Sequence, residues 1–201
     1  MKKRYQKIWK EVKAHTLLSA VLLLSTVIMV AGIMTPTVAG AATAAEIDGN
    51  VNAALQKLYA SSPTAKELSK VAKGVVVFPE IVKGGVIIGG QYGEGALRTE
   101  GKTTGYYNTV AASYGLQLGL QKFGYAMFLM TDSAMEYLNK SSGWEIGVGP
   151  SIVIVDEGTA RSLTTSTAKE DVYAFFFGQK GLMAGMGLQG SKISRITPDK
   201  K

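Results

Sequence analysis

Adjacent acidic side chains occur twice in this 201-residue sequence, at Asp156 and Glu157 and at Glu170 and Asp171. Two carboxylates can act as general acid and general base when a fold holds them about 5 to 10 Å apart in a cleft. Asp and Glu are also ordinary residues of solvated loops, where they need no catalytic role. We therefore predict loop positions for both pairs and keep a carboxylate-based hydrolase as the third functional hypothesis.

Other catalytic groups are scarce in this sequence. It contains no Cys, and its one His is His15, inside the N-terminal segment. Ser-His-Asp and Cys-His arrangements and the common zinc sites are therefore excluded for the rest of the chain. Residues 185–190 (GMGLQG) match a dinucleotide-binding pattern, but the chain ends too soon afterwards for the strand-helix-strand unit that this pattern requires. The sequence predicts a protein that is not an enzyme and that has no metal or cofactor.

Lysines offer binding chemistry in place of catalysis. Lys66, Lys70 and Lys73 are four and three residues apart, which would place them on one face of a helix. They are either a solvated face or a surface for anionic lipid, to which each basic group near the membrane adds about 1 kcal/mol. Lys83 and Lys180 are further lipid-binding candidates on charge alone.

The N-terminal segment has the order of a secretory signal peptide. Six basic residues precede an apolar run over residues 17–34, and small residues follow at 39–44. We predict a signal peptide at residues 1–44, with an uncleaved membrane anchor as the alternative because the run approaches the length of a bilayer span. Either outcome exports the rest of the chain, since positive charge stays in the cytoplasm.

Most of the basic charge belongs to this leader. The whole chain carries 22 basic and 15 acidic residues; without residues 1–44 it carries 16 and 14, a net charge of +2. A nucleic-acid partner is therefore not expected. Residues 45–201 have an ordinary size for a single domain, whose stability depends on its core because there are no disulfides.

Alternation of apolar and small residues predicts the main architecture. Residues 110–121 alternate strictly, and residues 144–149 and 182–189 repeat the pattern. Half-buried strands of this kind favour an antiparallel sheet. Recurrent glycines on one face indicate strong bending, barrel-like closure or close approach of another backbone. We predict an α+β fold in which N-terminal helices pack on a curved, mainly antiparallel, Gly-rich sheet.

Helix and turn signals complete the prediction. Ile47, Val51, Leu55 and Leu58 recur at helical spacing. A second helix is predicted from an N-cap at Ser62 to a stop at Gly74, and a third from a capping box at Ser133 to about Asn139. Hairpin turns are expected at residues 122–124 and 179–181, and a strand end near residues 156–158.

Four blocks in the sequence carry a family resemblance. They are residues 72–79 (AKGVVVFP), 105–108 (GYYN), 144–150 (WEIGVGP) and 180–185 (KGLMAG). Together they resemble the SYLF domain family over most of the chain after residue 47. The resemblance implies a non-enzymatic, lipid-binding domain: eukaryotic members bind phosphoinositides and some bind actin, and many bacterial members are exported. Lys180 matches a Lys-Gly pair that recurs in the family.

The resemblance also implies a basic amphipathic segment at the start of the domain, where this chain has Glu46 and Asp48. The leading hypothesis is a bacterial domain, exported to the periplasm or associated with the cell envelope, that binds anionic phospholipid at an envelope membrane through its basic helix and neighbouring loops. The second is an envelope scaffold whose partner is a protein and whose binding needs no lipid.

Overall fold

The structure is a computed structural model that describes residues 42–85, 88–114, 120–140, 142–156, 160, 162–177, 188 and 190–199. Within these ranges the helices are α1 (Ala44–Ser61), α2 (Pro63–Leu68) and α3 (Asp132–Asn139). Residues 1–41 of the predicted signal peptide and the predicted 179–181 hairpin lie outside the described residues.

Helix α1 confirms the amphipathic pattern read from the sequence. Ile47, Val51 and Leu58 are buried against the sheet. The helix begins with a capping box, in which the Thr43 hydroxyl accepts from the Glu46 amide and the Glu46 carboxylate accepts from the Thr43 amide. These two bonds satisfy amide groups that the first turn leaves without helical partners.

Helix α2 begins as predicted but is shorter than predicted. Ser62 is the N-cap and Pro63 occupies the first turn. The helix ends at Leu68, so the expected helix up to Gly74 is wrong. A turn follows, and the Lys73 amide donates to the Leu129 carbonyl of a strand. The chain thus leaves the helix early because its backbone joins the sheet, an interaction between distant residues that local spacing does not reveal.

Eight strands form one strongly curled, half-barrel sheet in the described part of the chain. They are β1 (Gly74–Gly85), β2 (Ile88–Thr99), β3 (Lys102–Tyr114), β4 (Leu120–Leu129), β5 (Trp144–Glu145), β6 (Ile152–Val155), β7 (Val172–Phe177) and β8 (Lys192–Ile196). Their order is β5-β8-β3-β2-β1-β4-β7-β6. Neighbours are antiparallel except β6 and β7, which are parallel. The predicted α+β fold with a curved, mainly antiparallel sheet is confirmed.

Several local predictions were wrong. Residues 110–121 are not one strand, because β3 ends at Tyr114 and β4 begins at Leu120. Val110, predicted to be buried, is exposed. Residues 122–124 lie inside β4 and not in a turn, and the N-cap of α3 is Thr131 and not Ser133. The pattern identified strands correctly but not their ends or their buried face, because both depend on pairing with other strands.

The sheet separates two cores. Helices α1 and α2 cover what we call the outer face, whose buried residues include Val75, Val77 and Phe128. The opposite, inner face is lined by aromatic residues and is closed at one end by α3. There Phe78 and Tyr125 are completely buried, with ring centroids 5.1 Å apart. Because the sheet is curled, apolar residues are buried on both of its faces, as they are between the layers of a domain built from two layers.

A β-bulge in β1 accounts for the bend. The pairing of β1 with both neighbours shifts between Val77 and Ile81, where β1 has one residue more than β2 or β4. A Cβ atom at Gly95 of β2 would collide with the Val77 carbonyl, and one at Gly124 of β4 would collide with the Pro79 carbonyl. The predicted close approach of another backbone to strand glycines is confirmed at these two positions.

Gly95→Ala should destabilise the fold, because the added methyl group cannot fit against the bulged backbone. Overpacking of this kind costs about 1 to 3 kcal/mol. Gly49→Ala in α1 is the matched control: its methyl group meets no atom within 4 Å, and Ala is the better helix former by up to about 1 kcal/mol. Urea unfolding of both full-length variants checks the expectation, and a Gly95→Ala chain as stable as the wild type would contradict it.

Asp171 links three elements at the end of the sheet where β4 ends and β7 begins. Its carboxylate accepts hydrogen bonds from the Thr131 hydroxyl at the start of α3 and from the amide and hydroxyl of Ser151, just before β6. The Ser151 amide, followed by the Thr131 hydroxyl, lowers the pKa of Asp171 below its ordinary value of 3.8. The parallel pairing of β6 and β7 begins beside this group.

The Asp171 contribution to stability should disappear in acid. Below about pH 4 the unfolded chain takes up a proton at Asp171 that the folded chain still excludes, so stability falls as pH falls. Asp171→Asn should be less stable than wild type at neutral pH and should lose less on acidification. Thermal unfolding from pH 7 to pH 3 measures both effects. The neighbouring Glu170→Gln is the control, and an acid limb equally steep in the Asp171 variant would disprove this role.

Candidate functional site

The three lysines predicted to share a helix face do not share one. Lys66 lies in α2, Lys70 in the turn that follows, and Lys73 immediately before β1. Lys70 pairs with Glu67 at 2.6 Å, and Lys73 pairs with Asp132 at 2.8 Å. Exposed ion pairs are weak, and their main effect here is to neutralise part of the predicted positive surface.

Lys83 is far from these three lysines. It lies near the opposite end of β1, ten residues after Lys73, which is roughly 30 Å along a strand. The structure therefore does not bring the four described candidates together. Lys180 lies outside the described residues and stays a prediction.

The acidic residues at the start of α1 are used inside the domain. Asp48 accepts hydrogen bonds from Thr103 and Tyr106 of β3 and lies 3.5 Å from an Arg98 guanidinium nitrogen. Arg98 also donates to the Asp48 carbonyl and to Asn52. These contacts fix α1 to the sheet, so the start of the domain is a docked helix and not a detached basic segment.

Asp48→Ala should destabilise the domain by about 1 to 3 kcal/mol, because it removes the carboxylate from a guanidinium whose side chain is only 12% exposed. Glu67→Ala, which breaks the exposed pair with Lys70, should change stability by less than about 1 kcal/mol. Chemical unfolding of the two full-length variants gives both values. Equal losses of stability would show that the partly buried pair of Asp48 and Arg98 contributes no more than the exposed pair of Glu67 and Lys70.

An exposed apolar surface lies on the outer face beyond the helices. We call it the rim patch, and it consists of Val82, Tyr92, Val110 and Leu120. Tyr92, Val110 and Leu120 are 47%, 38% and 78% exposed. Val82 is opposite Tyr92, and Tyr92 is opposite Val110, so they form one row across β1, β2 and β3.

Small residues continue the rim patch towards the strand ends. Leu120 is opposite Gly84, Gly84 is opposite Gly90, and Gly90 is opposite the exposed Ala112. A Cβ at Gly84 would lie 2.8 Å from the Leu120 side chain. Apart from Leu120, no large side chain projects from this row. The row can therefore lie close against an extended surface.

Two lysines bound the rim patch. Lys122 of β4 is opposite Val82, and Lys192 of β8 is opposite Val110. Four strand spacings separate them, which is roughly 19 Å. Lys122 is paired with Glu80 at 2.8 Å, and Lys192 is opposite Glu145 of β5. The patch thus has an apolar centre and ends that carry both signs of charge.

Glu94 connects the rim patch to the start of the helices. One of its oxygens accepts from the Tyr92 hydroxyl at 2.6 Å and the other from the Ala42 amide at 3.0 Å. Partial burial, together with the Glu94 carboxylate, raises the pKa of Tyr92 to about 12. Tyr92 is therefore a neutral, amphipathic side chain at any physiological pH.

Features typical of catalysis are not assembled in the described residues. No group of three or more His, Cys, Asp or Glu side chains there could hold a metal ion. Asp171 is held by Thr131 and Ser151 in a structural role, and Glu157 lies outside the described ranges. The rim patch was missed from the sequence because its residues belong to four different strands; only the register brings them together.

A β-rich binding domain is the class that this fold and surface define. Residues 110–199 match the family model described as Ysc84: Las17-binding protein actin regulator. This match confirms the resemblance to the SYLF family stated above. The family consists in general of binding domains and not of enzymes.

No curated protein matches the chain. Among the described residues, no helix has the length and apolar character needed to cross a bilayer.

Proposed function

We propose that this protein is an exported, non-catalytic domain that binds lipid membranes containing anionic phospholipid, and that the rim patch is its contact surface. The exposure of Tyr92, Val110 and Leu120 on the same face of the sheet carries the proposal. Single exposed apolar residues are common on proteins, but contiguous ones on an otherwise polar surface mark interaction sites. A family whose members bind lipids or proteins is consistent with this assignment.

Burial of the patch in a membrane interface gives a sufficient driving force. Transfer of a large exposed apolar side chain out of water contributes about 1.5 to 3 kcal/mol. Tyr92 suits the interface because its ring is apolar and its hydroxyl is polar. Three such side chains acting together account for reversible membrane binding without a spanning helix.

Composition at the strand ends supports the same orientation. Strands β1 and β3 end, and β2 and β4 begin, at the edge where the rim patch lies. The segments that join them, residues 86–87 and 115–119, contain no charged residue. In the sequence of residues 178–187, which follows β7, Lys180 is the one charged residue. An end of the sheet with so few charges is compatible with the interior of a lipid headgroup layer.

Anionic selectivity is assigned to the lysines at this end of the sheet. Lys122 and Lys192 have apolar stems that can lie on the patch while their ammonium groups reach lipid phosphates. Lys66, Lys70 and Lys73 lie at the other end of β1 and would not reach the same membrane surface. The proposed lipid contact therefore consists of the rim patch with Lys122 and Lys192. It does not include Lys66, Lys70 and Lys73.

Export is the part of the proposal that rests on the sequence of residues 1–44. A basic start, an apolar run and small residues predict translocation. N-terminal sequencing of the protein recovered from a cell-envelope fraction tests it. An intact N-terminus in a soluble cytosolic fraction would contradict export.

Loss of two rim side chains should weaken membrane binding. Tyr92→Ser with Leu120→Ser should reduce sedimentation of the full-length protein with phosphatidylcholine–phosphatidylglycerol vesicles about tenfold or more, because each substitution removes more than about 1 kcal/mol of apolar transfer. Val71→Ser with Val148→Ser is the matched control, since both valines are exposed outside the patch. Folding should be unaffected in both, as is usual for surface positions.

Two comparisons sharpen this test. Replacement of Lys66, Lys70 and Lys73 together by Gln should leave vesicle binding nearly unchanged. A large loss of binding would instead show that these lysines form the lipid contact. Equal binding by the rim variant and its control would reject the rim patch. If the full-length protein does not bind phosphatidylcholine–phosphatidylglycerol vesicles but captures an envelope protein, the scaffold hypothesis is correct instead.

A further inference from the structure

Two residues that precede α1 are bound to other parts of the domain. The Ala42 amide nitrogen donates a hydrogen bond to a Glu94 carboxylate oxygen at 3.0 Å, across 52 positions of sequence. Thr43 forms a bridge with Asp199. Ala42 and Thr43 are both partly buried. The backbone nitrogen of Ala42 therefore has a defined place, directly against a carboxylate of β2.

The sequence offers a signal peptidase two sets of small residues. Cleavage after residues 39–41 (AGA) gives a chain that begins at Ala42, and cleavage after residues 42–44 (ATA) gives one that begins at Ala45. The second cut would remove Thr43, the N-cap whose capping box begins α1. It would also remove the contact of Ala42 with Glu94. The first cut keeps both, so the folded structure favours cleavage after residue 41.

Cleavage after residue 41 changes the charge of the Ala42 nitrogen. One water molecule is consumed: its hydroxyl group adds to the Ala41 carbonyl carbon as the carbon–nitrogen bond breaks, and its remaining hydrogen goes to the Ala42 nitrogen. The new carboxyl group releases a proton and the new amine binds one, because an α-amino group is mostly protonated at neutral pH. An ammonium group then lies next to the Glu94 carboxylate in place of a neutral peptide N–H, and hydrogen bonds between charged groups are the stronger ones.

The surroundings of Glu94 favour a positively charged partner. Glu80 of β1 is directly opposite Glu94, and like charges at opposite positions of a sheet destabilise it. Glu80 is paired with Lys122 at 2.8 Å. An ammonium group at Ala42 gives Glu94 the same kind of partner and relieves the repulsion between the two strands.

We propose that a signal peptidase cuts the exported chain between Ala41 and Ala42, and that Glu94 binds the ammonium group that the cut releases. The inference rests on the export part of the proposed function. The second Glu94 oxygen accepts from the Tyr92 hydroxyl, so one carboxylate holds both the new N-terminus and a side chain of the rim patch. Glu94 therefore links the processed N-terminus to the proposed contact surface.

Mass spectrometry of the protein recovered from the cell envelope, after expression of the full-length chain, tests the position of the cut. The recovered chain should begin at Ala42. Ala41→Leu should prevent this cut, because the residue before it must be small. Ala44→Leu is the matched control: it makes the same change in the other set of small residues and should still give a chain that begins at Ala42.

The outcomes separate this inference from the proposed function. An exported protein that begins at another residue, or that keeps its leader, would overturn the inference and leave export standing. An intact chain found only in the cytosol would overturn both. A protein that begins at Ala42 but binds no phosphatidylcholine–phosphatidylglycerol vesicles would reject the membrane contact and support the cut.

Titration of the Ala42 ammonium group tests its partner. Reductive methylation with isotope-labelled formaldehyde marks the amine and leaves it one N–H donor, and nuclear magnetic resonance then follows its signal against pH. A carboxylate at hydrogen-bond distance favours the charged amine, so the pKa of this amine should lie above that of an exposed α-amino group. Glu94→Gln should lower the pKa to that of an exposed group. An equal pKa in the wild type and in the Glu94 variant would overturn the inference.

Three other acidic residues near Ala42 provide the controls for this titration. Glu46 accepts from the Thr43 amide, Asp199 is in the bridge with Thr43, and Glu80 is opposite Glu94. Glu46→Gln, Asp199→Asn and Glu80→Gln should each keep most of the rise in pKa, because none of these carboxylates accepts from the Ala42 nitrogen. A larger fall in any of them than in Glu94→Gln would assign the ammonium group to a different carboxylate and would also overturn the inference.

Discussion

The bulge between Val77 and Ile81 is the constraint on which the rest of this structure depends. One extra residue in β1 bends the sheet and reverses which side chains face the inner core, from Val76 and Phe78 before it to Ile81 after it. The bend brings carbonyl groups against neighbouring strands so closely that Gly95 has no room for a side chain. Recurrent glycine in this sequence is therefore a consequence of curvature and not of flexibility.

The same bulge divides the outer face into two regions with different roles. Before it, Val75 and Val77 are covered by helices that Asp48 and Arg98 fix in place. After the bulge, strands β1 to β4 extend past Ala44, the residue at which α1 begins. Four apolar side chains of that region have no helix to cover them. Contiguous exposed apolar surface of this kind is typical of interaction sites.

Placement of charge follows from the same geometry. Near the helices, Lys70 and Lys73 are paired with Glu67 and Asp132, which neutralises part of the positive surface there. Lys83 lies near the other end of β1 and on the inner face, because the bulge shifts the alternation of the strand by one residue.

Local chemistry was sufficient to predict much of this protein. Apolar spacing predicted α1, glycine-rich alternation predicted a curved antiparallel sheet, and four sequence blocks indicated the family. The end of α2, the buried face of β3 and the rim patch were not predictable in this way. Tyr92, Val110 and Leu120 meet only through strand register, and Lys83 faces inward only because a bulge shifts its phase by one residue. Register and phase are set by contacts between distant parts of the chain, so only the tertiary structure decided them.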